Sequence, residues 1–150
     1  GERGRLVRSR LGRTCPPPSA GWRELTAAGD GEGEEPGDRR GAAAQALRSR
    51  GRFTRNFVVQ ATAADWALAL LGSLRRRLTA LGAASAGPGA PRLVFFQHDE
   101  VIVHTPAGLA GEVAEAVHAA AGEARRLLFG DTPVVFPMEI AVVDRYADAK

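Results

Sequence analysis

The clearest hydrophobic pattern in the chain is a pair of short apolar runs with a polar connection between them. Residues 92–97 and 100–105 are rich in β-branched and aromatic side chains, and His98 and Asp99 lie between the two runs. Runs of this kind with a short polar connection are typical of paired antiparallel strands. The pattern therefore predicts a hairpin with His98 and Asp99 at or next to its turn. Because burying a carboxylate is costly, we expect the Asp99 carboxylate to be accessible to solvent.

Three segments have a helical pattern. The longest runs from about Asn56 to Leu81, a second from Ala107 to Phe129, and a short first helix from Ala42 to Arg50. In the longest segment apolar residues recur at intervals of three and four, which places them on one face of a helix. That predicted apolar stripe consists of Val59, Ala63, Trp66, Leu70, Leu74 and Leu78.

The remaining segments complete a predicted α+β fold. Residues Arg5–Leu11 alternate as a short strand, and Met138–Val143 read as a last strand. Residues 29–41 contain no apolar side chain and predict a solvated, flexible loop. The expected architecture is an antiparallel sheet, the hairpin plus the C-terminal strand, covered on one face by long helices.

Charge is distributed unevenly along the chain. Residues 1–60 contain 12 Arg and 7 acidic residues, for a net charge of +5, whereas residues 61–150 contain 8 basic and 10 acidic residues, for a net charge of −2. A basic first part suits a polyanionic partner, and an acidic second part suits carboxylates that bind a metal ion. The overall excess is modest, so charge alone favours nucleic acid only weakly.

Cysteine content and hydropathy limit the other classes of protein. Cys15 is the only cysteine, which excludes a disulfide framework within the chain and a site built of several thiolates. By inspection no apolar stretch reaches the roughly 18 residues of a membrane span, and no signal peptide is visible. The expectation is a cytoplasmic protein without a membrane partner.

Three polar residues lie four positions apart at the start of the longest helical segment. Arg52, Asn56 and Gln60 fall on one helix face at this spacing. A solvated face is the common explanation for such residues. However, one cation and two amides also fit the minor groove of nucleic acid, whose base edges offer acceptors whatever the sequence.

The His98-Asp99-Glu100 tripeptide is a candidate metal site. Neighbouring side chains of a strand face opposite ways, so Asp99 and Glu100 cannot both point at one ion from a regular strand. Magnesium commonly takes one or two carboxylates and completes its shell with water and phosphate oxygens. The tripeptide thus predicts either an exposed surface turn or an incomplete magnesium site that needs another carboxylate and a phosphate-bearing substrate.

These two motifs, in this order, resemble the C-terminal palm region of family A DNA polymerases, the DNA polymerase I type. The resemblance depends on Arg52, Asn56 and Gln60 at four-residue spacing, followed by the His-Asp-Glu tripeptide of residues 98–100. The sequence of residues 51–60 is most similar to the bifunctional 3′–5′ exonuclease/DNA polymerase branch of the family. The resemblance covers nearly the whole chain except the segment around residues 29–41. A leucine-glycine-arginine tract at residues 11–13 adds to the resemblance.

The resemblance implies a role for each matched residue. It implies that Asp99 is a catalytic metal ligand, that Glu100 is a supporting catalytic carboxylate, and that His98 lies against the primer terminus. It also implies that the helix face contacts the minor groove of primer–template DNA. The chain departs from the family pattern in two places: an alanine follows the glutamine where the family has glycine, and a phenylalanine replaces the family's glutamine two positions before the histidine. These departures are Ala61 and Phe96.

The implied reaction is magnesium-dependent addition of deoxynucleotides to a primer 3′-hydroxyl. Its partners would be primer–template DNA, deoxynucleoside triphosphates and the rest of a longer polymerase chain. The family's other catalytic aspartate and its nucleotide-binding helix with lysine and tyrosine lie upstream. The only lysine here is Lys150 and the only tyrosine is Tyr146. Residues 1–150 are therefore expected to be the C-terminal part of a palm domain without the upstream regions and inactive alone. The alternative is a non-catalytic DNA-binding remnant of a truncated polymerase gene.

Overall fold

The computed structural model describes residues 3–27, 37–85 and 89–149. Within these ranges three α-helices and two strands follow one another: α1 (Ala20–Ala27), α2 (Gly37–Ala84), β1 (Arg92–Gln97), β2 (Glu100–His104) and α3 (Ala110–Phe129). Single 3₁₀ turns cover Ala107–Leu109 and Tyr146–Asp148. The α+β class expected from the sequence is confirmed.

The hairpin and the C-terminal helix are confirmed close to their predicted bounds. β1 and β2 pair antiparallel, with Gln97 opposite Glu100 across the two-residue turn. The segment predicted as helix from Ala107 begins with a 3₁₀ turn and becomes α3 at Ala110.

The predicted short helix and long helix are one continuous element. No proline occurs between residues 37 and 87, and alanine, leucine and arginine, all good helix formers, fill much of α2. The prediction of a loop over residues 29–41 is therefore wrong for residues 37–41, which open α2, and its remainder lies outside the described residues. Helix α1 was not expected from the sequence pattern.

Two predicted strands are not formed. Within the described residues the sheet has two strands, and residues Met138–Val143 have no regular structure. A β-branched run becomes a strand only where its backbone groups find a partner, and this run has none there. Near the N-terminus, the predicted strand Arg5–Leu11 is reduced to an isolated bridge between Arg8 and Thr14.

The chain divides into two compact units, Gly1–Asp65 and Trp66–Lys150, and α2 contributes to both. In the first unit the buried side chains are small, among them Cys15, Ala43, Thr54 and Ala61. Trp22 adds a hydrogen bond from its indole nitrogen to the Ala46 carbonyl oxygen, at 3.1 Å. With few large apolar side chains buried, polar contacts have a larger share in holding this unit together.

The principal polar contact of the first unit joins the N-terminal segment to α2. Arg13 donates to Asp65 Oδ1 from both Nε, at 3.2 Å, and one terminal nitrogen, at 2.7 Å. The Asp65 side chain is 11% exposed, and the Ser9 hydroxyl donates to its other oxygen at 3.3 Å. Arg13 is the arginine of the leucine-glycine-arginine tract, so this ion pair fixes that tract to the helix.

The second unit has an apolar core between the C-terminal part of α2 and α3. Leu70, Leu74 and Leu78 are at most 2% exposed, and they pack with a stripe of α3. Leu93, Val101 and Val103 place one side of the hairpin against the same core. The predicted apolar stripe of α2 is thus buried in its second part, whereas Val59, 62% exposed, lies outside any core. The residues of α3 in this core are Val113, Ala116, Val117, Ala120, Ala121 and Ala124.

A polar network flanks this core. Glu123 of α3 accepts hydrogen bonds from Ser73 at 2.5 Å, Arg76 at 2.6 Å and Arg77 at 2.9 Å. The hydrogen bonds from Ser73 and then Arg77 lower the pKa of Glu123 below its ordinary value of 4.5. Two of the three arginines in the run 75–77 therefore bind a carboxylate of the same unit.

By length and mean hydropathy, residues Arg40–Ala84 of α2 pass the test for a helix that could cross a membrane. This differs from the expectation that no stretch is apolar enough; alanine and leucine raise the average although polar residues lie among them. Core helices of soluble proteins and signal sequences also pass this test, so it is weak evidence. Asp65 and Ser73, both within this segment, bind charged side chains, an arrangement that is costly in lipid.

Leu74→Ala is expected to destabilise the second unit strongly. Leu74 is fully buried, and Leu→Ala at such positions costs about 2–5 kcal/mol. Leu127→Ala is the control, because Leu127 is 74% exposed and a surface change of this kind costs within about 0.5 kcal/mol. Urea denaturation followed by circular dichroism measures both, and equal midpoints for the two variants would contradict this core.

Acid is expected to destabilise the wild type more than Glu123→Gln. The lowered pKa of Glu123 means that its stabilising effect is fully present above about pH 4.5 and is lost as the pH falls through its folded-state pKa. The measurement is the melting temperature between pH 6 and pH 3, with the exposed Glu115→Gln as the matched control. If the melting temperature fell more steeply with falling pH in Glu123→Gln than in the wild type, the pH dependence would have the opposite sign and the stabilising role of the Glu123 network would be rejected.

Candidate active site and nucleic-acid interface

The hairpin turn holds the candidate catalytic tripeptide in a constrained backbone conformation. His98 has φ of +54°, the left-handed region, and is the only described non-glycine residue with positive φ. Such a conformation costs a bulky residue about 1–3 kcal/mol, although histidine is among the residues that adopt it more often. The conformation of the two-residue turn therefore depends on the left-handed backbone of residue 98.

Asp99 and Glu100 differ in their surroundings. Both side chains are exposed, as the sequence predicts for Asp99. Asp99 lies in the turn itself, whereas Glu100 begins β2 and pairs with Gln97. Glu100 Oε2 accepts a hydrogen bond of 2.6 Å from the phenol oxygen of Tyr146. One oxygen of Glu100 is therefore engaged by the C-terminal segment.

This contact affects the tyrosine. The hydrogen bond to Glu100 raises the pKa of Tyr146 above its ordinary value of 10, and the negative charge of Glu100 acts in the same direction. Both effects favour the neutral phenol, since a phenolate could not donate and would be repelled by the carboxylate. Tyr146 therefore stays protonated at neutral pH and remains a donor to Glu100.

A β-bulge determines which hairpin residues share a face with Glu100. The strand register shifts between Leu93 and Phe95, so that Phe95 pairs with Ile102 and Gln97 with Glu100. Opposed residues of an antiparallel pair share a face, and successive pairs alternate. Leu93 lies on the side packed against the core, and the pair containing Glu100 belongs to the other side.

The second candidate group is the polar face of α2. Arg52, Asn56 and Gln60 are all exposed on successive turns of one uninterrupted helix. Thr54 and Ala61, which are 4% and 5% exposed, mark the opposite, buried side of the same turns. The three side chains therefore share an accessible face, as their spacing predicts; its contact with DNA remains a prediction.

Two further arginines, which were not identified from the sequence, adjoin this face. Arg48 and Arg55 are exposed and lie four positions before and three positions after Arg52. On a helix these spacings place all three guanidinium groups along one side. The signal was present in the sequence as arginines at helical spacing, and the three guanidinium groups make this side of α2 basic.

Both departures from the family pattern can be located. The methyl group of Ala61 is buried in the first unit, on the side of α2 opposite the polar face. Phe96 is 39% exposed and pairs with Val101, next to the pair that contains Glu100. The extra methyl group therefore does not project from the polar face, and the phenylalanine leaves an apolar ring close to the hairpin turn.

The two groups belong to different units: the polar helix face to Gly1–Asp65 and the hairpin to Trp66–Lys150. In the described ranges no three His, Cys, Asp or Glu side chains come together in a way that could hold a metal ion. Asp99 offers a hard, exposed carboxylate of the kind that Mg²⁺ prefers, but it is a single ligand. The two groups thus offer hydrogen-bond donors on the helix face and one exposed carboxylate in the hairpin turn.

Comparison of the chain with models of known protein families, with curated proteins and with solved structures found no match.

The polar face of α2 is expected to bind duplex DNA. Each lost groove hydrogen bond should cost on the order of 1 kcal/mol, roughly a fivefold rise in Kd, and more for the charged Arg52. Asn56→Ala/Gln60→Ala removes donors without changing the charge, and Arg52→Ala should also lower the salt slope by about one.

Arg126→Ala is the matched control for the loss of one positive charge, because Arg126 is exposed on α3. Fluorescence anisotropy with a labelled duplex over a salt titration measures all variants. Equal affinity of the wild type and of the triple alanine variant at residues 52, 56 and 60 would reject this face as a DNA-binding surface.

Proposed function

We propose that this chain is part of a DNA-directed DNA polymerase of family A, a nucleotidyltransferase that extends a primer on a DNA template. The observation that carries the proposal is the exposed His98-Asp99-Glu100 turn of an antiparallel hairpin, preceded in the same chain by the exposed face of Arg52, Asn56 and Gln60. Both motifs have the order and spacing of the palm region that the sequence resembles. Their accessibility is what binding a metal and binding DNA require.

In the proposed reaction the primer 3′-hydroxyl oxygen attacks the α-phosphorus of a deoxynucleoside triphosphate. A new phosphorus–oxygen bond forms, the bond between the α-phosphorus and the oxygen that bridges to the β-phosphorus breaks, and pyrophosphate leaves with the electron pair. The proton of the 3′-hydroxyl passes to water. Protein groups contribute mainly positioning and charge stabilisation to phosphoryl transfer.

Asp99 is the residue that would hold Mg²⁺. Its carboxylate is exposed in the turn and consists of the hard oxygen donors that this ion takes. When bound, Mg²⁺ would neutralise phosphate charge and stabilise the attacking and leaving oxygens. Completion of the site requires at least one carboxylate beyond Asp99.

The other residues would bind and orient substrates. Asn56 and Gln60 can donate hydrogen bonds to acceptors in the minor groove, and Arg52 can donate to a base edge or the backbone. His98 next to Asp99 would contact the primer terminus. Glu100 would support the metal site, with one oxygen directed by Tyr146.

A DNA-binding protein without catalysis is the second candidate. It is favoured by one observation, that among the described residues no group of three potential metal ligands assembles. The same helix face would then bind duplex DNA, and replacement of Asp99 would leave every activity of the chain unchanged. Primer extension distinguishes the two candidates.

The isolated chain is expected to bind Mg²⁺ weakly and not to extend a primer, because one aspartate cannot offset the repulsion between two cations. Fusion to an upstream polymerase segment with the partner aspartate and a nucleotide-binding helix should restore extension. Asp99→Ala in the fusion should abolish it and should reduce it more than Glu100→Ala, because only Asp99 is proposed as a direct ligand.

Asp131→Ala is the control in the fusion protein, since it removes an exposed aspartate that follows the end of α3. The assay is gel-based extension of a labelled primer with Mg²⁺ and all four deoxynucleotides. Full activity of the Asp99→Ala fusion would overturn the polymerase assignment of the hairpin, and vigorous extension by the isolated chain would show that other residues complete the site.

A further inference from the structure

Phe53 is an exposed aromatic side chain of α2 that the proposed contacts with duplex DNA do not use. It is 49% exposed and lies three positions before Asn56 and seven positions before Gln60. On a helix these spacings place the ring along the border of the polar face. Because much of the ring stays in water, packing within the chain does not explain a large apolar group in this place.

The ring of Phe53 is supported on one of its faces. The guanidinium carbon of Arg50 lies 5.2 Å from the ring centroid, which is a cation–π contact. Arg50 is itself held by the N-terminal segment, since its Nη2 donates to the Pro16 carbonyl oxygen and lies 3.8 Å from the Cys15 sulfur. All four residues belong to the first unit. With the guanidinium over one face of the ring, the opposite face is the one that its exposure leaves open to a ligand.

The surroundings of the ring are basic. Arginines occupy positions 48, 50, 52 and 55, and no acidic residue occurs from position 39 to position 64. Arg52 Nη2 donates to the Ser49 hydroxyl at 3.1 Å, and Phe53 lies four positions after Ser49, on the same side of the helix. Positive charges around an exposed ring attract a polyanion, whereas covering them with an apolar protein surface would be costly.

An exposed ring among cations has the chemistry of a base-stacking site. In a duplex the bases are paired and stacked on one another, whereas an unpaired base presents a free π face to a side chain. Stacking of one such base on an aromatic side chain raises the affinity about five- to 150-fold, with little preference for sequence.

We propose that Phe53 is a stacking platform for an unpaired base of single-stranded DNA, with Arg50 supporting its other face and Arg52 next to the phosphates of the strand. The inference deepens the proposed function and rests on it for the identity of the strand as DNA. A primer–template contains both a duplex and an unpaired strand. The polar face would then hold the duplex, and Phe53 would hold the strand beside it.

The first experiment separates stacking from charge. Fluorescence anisotropy measures binding of the intact 150-residue chain to a labelled oligothymidylate and to an abasic oligodeoxynucleotide of the same length, which has the same phosphates but no bases. Phe53→Leu removes the aromatic ring and keeps an apolar side chain. It is expected to weaken oligothymidylate binding about fivefold or more and to leave binding of the abasic strand unchanged. Phe53→Trp, which keeps an aromatic ring, is expected to bind oligothymidylate at least as tightly as the wild type.

Phe95→Leu is the matched control, because Phe95 is 39% exposed and lies on the hairpin of the second unit. It is expected to bind both strands as the wild type does, and the melting temperatures of all variants are measured in parallel. Equal affinity of the wild type for the two strands would overturn the stacking role. A similar loss of both affinities in Phe53→Leu would also overturn it, because a loss that does not depend on bases comes from charge or folding.

The second experiment locates the bound base. An oligothymidylate with one 5-iododeoxyuridine forms a photochemical crosslink to an aromatic ring that stacks on the modified base, and mass spectrometry of the digested adduct identifies the residue. The crosslink is expected at Phe53 and should be absent in Phe53→Leu. Crosslinks that form only at other residues would overturn the inference.

Oligouridylate of the same length tests the kind of strand. The proposed function predicts that it binds no more tightly than oligothymidylate, and tighter binding would overturn the assignment to DNA.

The outcomes also separate this inference from the proposed function. If Phe53→Leu has the wild-type affinity for oligothymidylate while the triple alanine variant at residues 52, 56 and 60 loses duplex binding, the stacking role is wrong and the duplex face stands. A protein partner then becomes the explanation of the exposed ring. If Phe53→Leu weakens oligothymidylate binding while the triple variant binds duplex DNA like the wild type, the stacking site stands and the duplex face fails.

Discussion

Apolar packing between the C-terminal part of α2 and α3 is the interaction on which the geometry of the second unit depends. Leu74 and Ala120 are fully buried at its centre, and the inner side of the hairpin packs against the same cluster. One side of the two-stranded sheet is thereby fixed, which leaves the turn and the side that carries Glu100 open. A two-stranded hairpin alone would be marginally stable, so the exposed carboxylates need this support to keep their positions.

The first unit is held together differently. Its buried residues are mostly small, and an ion pair in which two nitrogens of Arg13 donate to one oxygen of Asp65 joins the N-terminal segment to α2. Removal of Arg13 would leave the Asp65 carboxylate, which is 11% exposed, without its cationic partner, and an unpaired charge at such a position is costly. The polar face of Arg52, Asn56 and Gln60 lies on the opposite side of α2 from this small-residue packing, so the proposed binding of DNA to it would require no rearrangement of the buried side.

The local sequence pattern was sufficient to predict some secondary-structure elements and insufficient to predict others. The hairpin and α3 were predictable because their β-branched runs and three-to-four periodicity are encoded in neighbouring residues. The prediction of a C-terminal strand was wrong, because a strand forms only beside a partner strand. The pattern of Met138–Val143 does not show whether such a partner lies next to it.

The same reasoning applies to the candidate site. The exposure of Asp99 and the common face of the polar helix residues followed from turn position and helical spacing. The contact between Tyr146 and Glu100 did not, because it joins residues 46 positions apart through the path of an irregular segment. Contacts of this kind depend on tertiary structure, and no spacing rule predicts them.

The irregular C-terminal segment also has a consequence for the behaviour of the chain in solution. Val134, Val135, Ile140, Val142 and Val143 are exposed, and the last three belong to a β-prone run whose backbone has no strand partner among the described residues. Such runs are templates for intermolecular pairing, and nearby charges such as those of Glu139 and Asp144 oppose it. Self-association of the chain through this segment should therefore increase as acid or high salt weakens these charges.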